Sequence, residues 1–265
     1  MTDFHLSFSQ ISSYLNCPRW YKYRYQTGLP EPVTGALLIG MSVHDAIEVY
    51  FNEILAGITP KLSLAKALKR FAEAWEGKPY INRGKWTGEF ALDRPEREVR
   101  EVARELLVMY LSNNPLKPVA SEQTFSREFG GVPFPGRLDL IDQRGFIIDF
   151  KTKSGRLANK AIRAREFGRN LQPVAYAALL GGPATVEFHY LLKTKSPSLA
   201  IGKRQITQEQ IDWFAKSLVP DIAAAIKAGA FPPAGWPWAG GWPCQYCSFA
   251  SLCKKEMDKE SVNMM

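Results

Sequence analysis

Two aspartates and a lysine, Asp139, Asp149 and Lys151, stand among Leu, Ile and Phe in the stretch GRLDLIDQRGFIIDFKTKSG, from Gly136 to Gly155. Charges rarely occupy such surroundings unless they are paired, hydrated or holding a metal. If the two apolar runs are strands, Gln143, Arg144 and Gly145 form a three-residue hairpin loop with Gly145 in the left-handed position. Asp142 then pairs with Phe146, and counting outward sets Asp139 opposite Asp149 with Cβ atoms roughly 5 Å apart. Strand side chains alternate, so Lys151 shares that face. Carboxylates at this separation repel unless a cation lies between them, and a hard, oxygen-seeking ion such as Mg²⁺ or Mn²⁺ suits them best. An ion held there beside a lysine fits phosphodiester hydrolysis. It would grip a phosphate oxygen and lower the pKa of a bound water, while Lys151 orients that water or stabilises developing charge. The competing account is an exposed Asp149–Lys151 ion pair worth at most about 1 kcal/mol.

Elements that must position these groups can be placed around the hairpin. Ser9 is a plausible N-cap for a helix carrying Ile11, Tyr14 and Leu15, which runs into a crowd of Trp20, Tyr21, Tyr23 and Tyr25 around Cys17. The segment 35–55 has Leu38, Met41, Ala46, Val49, Tyr50 and Ile54 on one helical side, with His44 and Glu48 four apart on one face. Residues 62–76 and 93–112 are two further amphipathic helices about a polar connector, a helical insertion spanning 57–118. Strand-like runs follow at VASEQTF, VPFPGRLDLI and FIIDFKT, then a helix at NLQPVAYAALL, a strand at TVEFHYLLKT and a helix over residues 207–229. Residues 231–256, dense in Pro, Gly and Trp, are expected to form an irregular cap, and ESVNMM a loose tail.

The cysteines are Cys17 alone and Cys244, Cys247 and Cys253 together. The N-terminus shows no export signal and no run is long enough to span a membrane, so the expectation is a soluble cytoplasmic protein whose thiols hold a metal rather than forming disulfides. Four thiolates suit a [4Fe-4S] cluster or structural Zn²⁺, and coordination chemistry alone does not choose. A net charge of +8 across 265 residues favours a polyanionic partner. Arg19, Lys22, Arg24, Lys153, Arg156, Lys160, Arg163 and Arg165 are candidates for tracking phosphates, against the alternative of a solvated charged surface.

The pairing of GRLDLI with IIDFKTKSG, in which Asp149-Phe150-Lys151 supplies the (D/E)XK element, resembles the PD-(D/E)XK nuclease superfamily and, within it, the RecB-type nucleases of recombination and CRISPR systems. His44 in GMSVHDAIE matches that family's helical metal-binding histidine, and Gln172 and Tyr176 in QPVAYAALL match its Q-x-x-x-Y motif. Glu122 in SEQTF matches, more loosely, an acidic position ahead of the first aspartate. The resemblance implies an α/β restriction-endonuclease-like core, a mixed sheet flanked by helices, as one nuclease domain over 1–265 with a cap stapled to Cys17. It implies His44, Asp139 and Asp149 as ligands of Mg²⁺ or Mn²⁺, and catalytic roles for Asp139, Asp149, Lys151, Gln172, Tyr176 and Glu122. It favours a structural [4Fe-4S] cluster on Cys17, Cys244, Cys247 and Cys253. The implied activity is that of a DNA exonuclease acting on single strands or free ends, in a setting such as repair or recombination. A catalytically silent nucleic-acid-binding module of the same fold, and an iron-sulfur redox protein, are the alternatives.

Overall fold

The sheet that carries the hairpin is mixed and five-stranded, in the order β3 (Pro118–Phe129), β4 (Val132–Asp142), β5 (Ile147–Ser154), β6 (Ala184–Lys193) and β7 (Ser198–Ile206). Only the β5–β6 pair is parallel. The computed structural model describes residues 4–77, 86–91, 95–112, 114–235, 238 and 241–262. Parts of the expected insertion (78–85, 92–94, 113), cap (236, 237, 239, 240) and tail (263–265) lie outside the described residues.

Both faces of the sheet are covered, which explains why β5 and β6 are apolar almost throughout. On β5, Ile147 faces a cluster with α1 (Phe8–Asn16), α7 (Gln172–Leu180), α8 (Gln208–Trp213) and α9 (Val219–Lys227). Its neighbours Ile148 and Phe150 face the opposite cluster, built by α3 (Gly35–Leu55), α4 (Pro60–Gly77) and α5 (Glu96–Leu111). The two-residue period therefore puts Asp149 on the α7 side and Phe150 under α3. Phe51 of α3, fully buried, stacks on Phe150 with ring centroids 5.9 Å apart and planes 9° apart. On the other side α7 lies close on β4 at Gly136, where a Cβ would meet Leu179 Cδ1 at 2.3 Å.

The structure alters several local expectations. The first helix is capped by Ser7, not Ser9: Ser7 Oγ accepts from Gln10 N while Gln10 Oε1 accepts from Ser7 N, a reciprocal box that Ser9 cannot make from inside the helix. The cap is not irregular throughout, since α10 (Ala250–Val262) carries Cys253 and takes in the first residues of the expected tail. The strand β7 escapes the pattern because its Leu199 and Ile201 are exposed at the sheet edge and Gly202 interrupts the run. Pro32 hides β1 (Glu31–Thr34), which pairs in parallel with β2 (Trp86–Ala91). The charged segment 160–169 forms a helix, α6 (Lys160–Arg169), anchored by one buried side chain, Phe167.

Because Phe51 fills the space between α3 and β5, Phe51→Ala should cost about 3–5 kcal/mol of stability. Urea unfolding of the variant checks this, and a loss under about 1 kcal/mol would show that the helix–sheet seam is loosely packed.

Candidate active site

The hairpin loop forms as its glycine requires: Gly145 has φ +73°, Gly145 N donates to Asp142 O at 2.9 Å, and Asp142 N to Phe146 O at 3.1 Å. The register is the expected one, with Ile141 paired to Ile147 and Leu140 to Ile148. The next step would set Asp139 against Asp149, and there the ladder stops. Beyond it β4 stays with β3 and β5 with β6, so the two strands part. At the parting, Phe150 N donates to Asp139 Oδ2 at 3.1 Å, so a side-chain carboxylate takes a backbone donor freed from the β4–β5 ladder.

Side chains from both helical layers converge on this gap. From α3, His44 Nε2 lies 2.5 Å from Phe150 O. A carbonyl only accepts, so Nε2 carries the proton. Nδ1 then faces Asp139 Oδ2 at 3.5 Å. From α7, Tyr176 Oη donates to Asp149 Oδ1 at 2.6 Å and Gln172 Nε2 donates to the same oxygen at 3.2 Å and to Tyr176 Oη at 2.5 Å. One helical turn separates the two donors, which is why both reach a single carboxylate. Lys151 Nζ lies 2.9 Å from Oδ1 and 2.7 Å from Oδ2 of Asp149. The contact to Oδ2 is off the hydrogen-bonding line, which leaves that buried oxygen without a hydrogen bond.

Glu122 completes the row. It sits on β3 in the gap between Ser121↔Leu140 and Gln123↔Leu138, alongside Asp139, and its backbone is left-handed at φ +51°. That conformation is uncommon for a residue with a Cβ. Arg137 Nε approaches Glu122 Oε2 at 2.6 Å. Burial pushes the Glu122 carboxyl up to about 8, with the negative charges of Asp139, Glu48 and Asp149 adding to it and Arg137 opposing. Burial likewise raises Asp139, helped by Asp149 and resisted by His44 and Lys151. Tyr176 is raised well above its usual value, by burial first and then by the two aspartates, and so keeps the proton it donates. His44, Glu48, Glu122, Arg137, Lys151 and Lys153 border a cleft of about 380 Å³.

Among the described residues no three His, Cys, Asp or Glu side chains are drawn together as a finished metal shell. The donor set still suits a hard divalent cation. A buried carboxylate oxygen lacks a hydrogen bond, a carboxylate faces the lone pair of His44 Nδ1, and three acids from adjacent strands face one another. Glu48, on the histidine's face of α3, and Arg137 belong to this neighbourhood. The spacing of Glu48 from His44 was visible in the sequence, but its proximity to Glu122 depends on how α3 lies over β3. Of the proposed phosphate-tracking residues, Lys153 borders the cleft, whereas Arg24 is bound to Glu31, Arg156 to Glu166, and Arg163 to the carbonyls of Leu157 and Ala158.

The four cysteines are all free, and all border one narrow cavity with Arg19, Trp20 and Tyr23. Burial pushes the Cys247 thiol up to about 11, with Cys17, Cys244 and Cys253 adding to the shift. The lone N-terminal cysteine is thus brought to the C-terminal trio.

A mixed sheet between two helical layers, with acids and a lysine where its central strands part, defines a nuclease-like fold and site. The chain belongs to the PD-(D/E)XK nuclease superfamily, whose family model matches residues 5–254. No curated protein matches it. It is similar to a crystal structure of a candidate exonuclease from Eubacterium rectale, with 15% identity, a TM-score of 0.58, and coverage of 91% of this chain and 87% of that one. It is also similar to a crystal structure of SSO0001, at 14% identity over 96% of this chain and 87% of that one, with a TM-score of 0.43. At such identities the first likeness shows a shared fold, and the second carries no weight. No helix among the described residues is long and apolar enough to cross a membrane.

The Glu122 shift fixes a sign for pH dependence. A carboxyl raised to about 8 from 4.5 binds its proton more tightly in the folded state, so its contribution is full below pH 4.5 and is lost as pH rises through 8. In EDTA, the stability of the wild-type protein should fall between pH 5 and 8 by up to about 1.4 kcal/mol per pH unit from this group. Glu122→Gln should flatten that slope in denaturant titrations, and equal slopes for the two proteins would contradict the burial of this carboxyl.

Proposed function

We propose that this chain is a metal-dependent deoxyribonuclease, an exonuclease acting on single-stranded DNA or free DNA ends. The observation that carries this reading is the convergence of His44, Asp139, Asp149, Lys151, Gln172 and Tyr176 on the parting of β4 and β5. Membership of a nuclease superfamily and the fold shared with a candidate exonuclease support it.

His44, Asp139 and Asp149 would hold Mg²⁺ or Mn²⁺, with Glu122 at the side of the site. When bound, such an ion neutralises phosphate charge, activates water and stabilises the leaving oxygen. Tyr176 and Gln172 are positioning residues: by donating to one Asp149 oxygen they leave the other turned toward the ion. Lys151, fixed against Asp149 and open to the cleft, places a cation where a phosphate oxygen develops charge. His44 spends its Nε2 proton on the Phe150 carbonyl, which keeps the Nδ1 lone pair free.

Cys17, Cys244, Cys247 and Cys253 would hold a structural [4Fe-4S] cluster, with Zn²⁺ as the alternative. The convergence of four free thiols on one cavity supports either. Within a single nuclease domain, residues 57–118 would be an elaboration and 231–256 a cap.

Labelled single strands and blunt duplexes, each blocked at one end or the other and incubated with Mg²⁺ and Mn²⁺, test the activity. Asp149→Ala and Lys151→Ala should lower cleavage by at least about 10²-fold while leaving metal content at the cysteines unchanged. A folded, fully loaded wild-type protein that cleaves nothing would favour the silent binding module. Cys17→Ala should lower the Tm and release iron or zinc; an unchanged Tm and metal content would exclude a staple, and the metal identified in the wild-type protein decides between cluster and zinc.

A further inference from the structure

The cap exposes large aromatic rings that its own packing does not use. Trp238, Trp242 and Tyr246 are 42%, 64% and 69% exposed, although other aromatic side chains of the chain are buried nearly to completion. Trp242 and Tyr246 face each other with ring centroids 5.9 Å apart and planes inclined at 59°, an open wedge in which each ring keeps a face to solvent. Rings held out in this way form a small apolar patch with no protein side to cover it.

The charges around the patch are positive. Burial pushes the Cys244 thiol up while the Lys254 ammonium opposes it, so Lys254 stands close to the turn Cys244–Tyr246. Burial likewise raises Cys253 while Arg19 opposes, which puts a second cation beside the same cavity. Exposed rings alternating with cations are the chemistry that holds unpaired nucleotides, because every base offers a π-face and every linkage a negative charge.

The cap is also tied to the catalytic cleft by a short rigid path. Trp20, which borders the cysteine cavity, donates from Nε1 to Glu31 Oε1 at 2.7 Å, and Arg24 Nη1 lies 2.9 Å from Glu31 Oε2. Glu31 begins β1, which passes straight into α3, whose Ala36, Gly40 and His44 border the cleft. At about 3.3 Å per strand residue and 1.5 Å per helix residue, Glu31 lies no more than about 30 Å from His44. A strand of a few nucleotides spans that distance.

We propose that Trp242 and Tyr246 form a stacking platform for the unpaired bases of a single-stranded nucleic acid whose backbone continues toward the cleft. This rests on the nuclease reading for its substrate class, but it concerns binding outside the catalytic residues and can fail separately.

The test is equilibrium binding of a fluorescein-labelled single-stranded oligonucleotide in EDTA, where cleavage plays no part, alongside a cleavage assay. The double substitution Trp242→Ala and Tyr246→Ala should weaken binding about tenfold or more, whereas the Trp242→Phe and Tyr246→Phe pair should restore most of it. An abasic strand of equal length should compete poorly against the wild-type protein, a measurement that needs no variant to fold. Wild-type cleavage with unchanged binding by a folded alanine variant would overturn the platform and spare the nuclease. Equal competition by the abasic strand would do the same. Loss of self-association without loss of oligonucleotide binding would reassign the patch to a second copy of the chain and overturn the proposal.

Discussion

The parting of β4 from β5 is the constraint on which the rest of the site depends. A sheet buried on both faces has no place for several carboxylates, since each buried charge lacks water and each lost ladder bond leaves a backbone donor or acceptor unpaired. Here the two costs offset each other. The Asp139 carboxylate takes the Phe150 N–H and His44 gives a proton to the Phe150 carbonyl, so both polar groups of one residue are satisfied by side chains. The gap is therefore a polar slot built into the sheet, not a defect. It is also where the two helical layers come within reach of one another, with α3 supplying His44 and α7 supplying Gln172 and Tyr176.

Electrostatics in the slot is deliberately unbalanced. Glu122, Asp139 and Asp149 lie on three adjacent strands, and each raises the cost of ionising another. Lys151 and Arg137 offset part of that repulsion but are placed at its two ends, against Asp149 and Glu122. The centre, where Asp139 faces His44 Nδ1, is left without a fixed cation. A left-handed glutamate backbone at this point is a conformation that the surrounding sheet must enforce, and such outliers gather at functional sites.

Much of this was legible before any coordinates, because the hairpin is specified locally. Gly145 fixes the turn, the turn fixes the register, and the register fixes which side chains are neighbours. The Gln172–Tyr176 spacing was equally readable, since one turn of helix is a local property. What the sequence does not carry is the point where the ladder stops, because the parting reflects competition between Asp139 and the backbone, joined by a histidine from almost a hundred residues earlier. The edge strand β7 and the Pro-bearing β1 were hidden for a related reason: their pairing is decided by neighbours rather than by their own alternation. Several arginines that looked available for phosphate are bound to acids or carbonyls within the fold, which composition cannot reveal.

The two centres of the molecule are chemically separate yet mechanically joined. Cys17 ends α1, Trp20 and Arg24 from the following turns both grip Glu31, and Glu31 opens the strand that aims α3 at the sheet. Bringing Cys17 to Cys253 closes more than two hundred residues into a loop, and the entropy of closing so long a loop rises only slowly with its length. A group that held those thiols together would fix the origin of β1 and, through it, the height of His44 above Phe150. No ligand of the cysteines needs to touch a phosphate for the placement of His44 to depend on it.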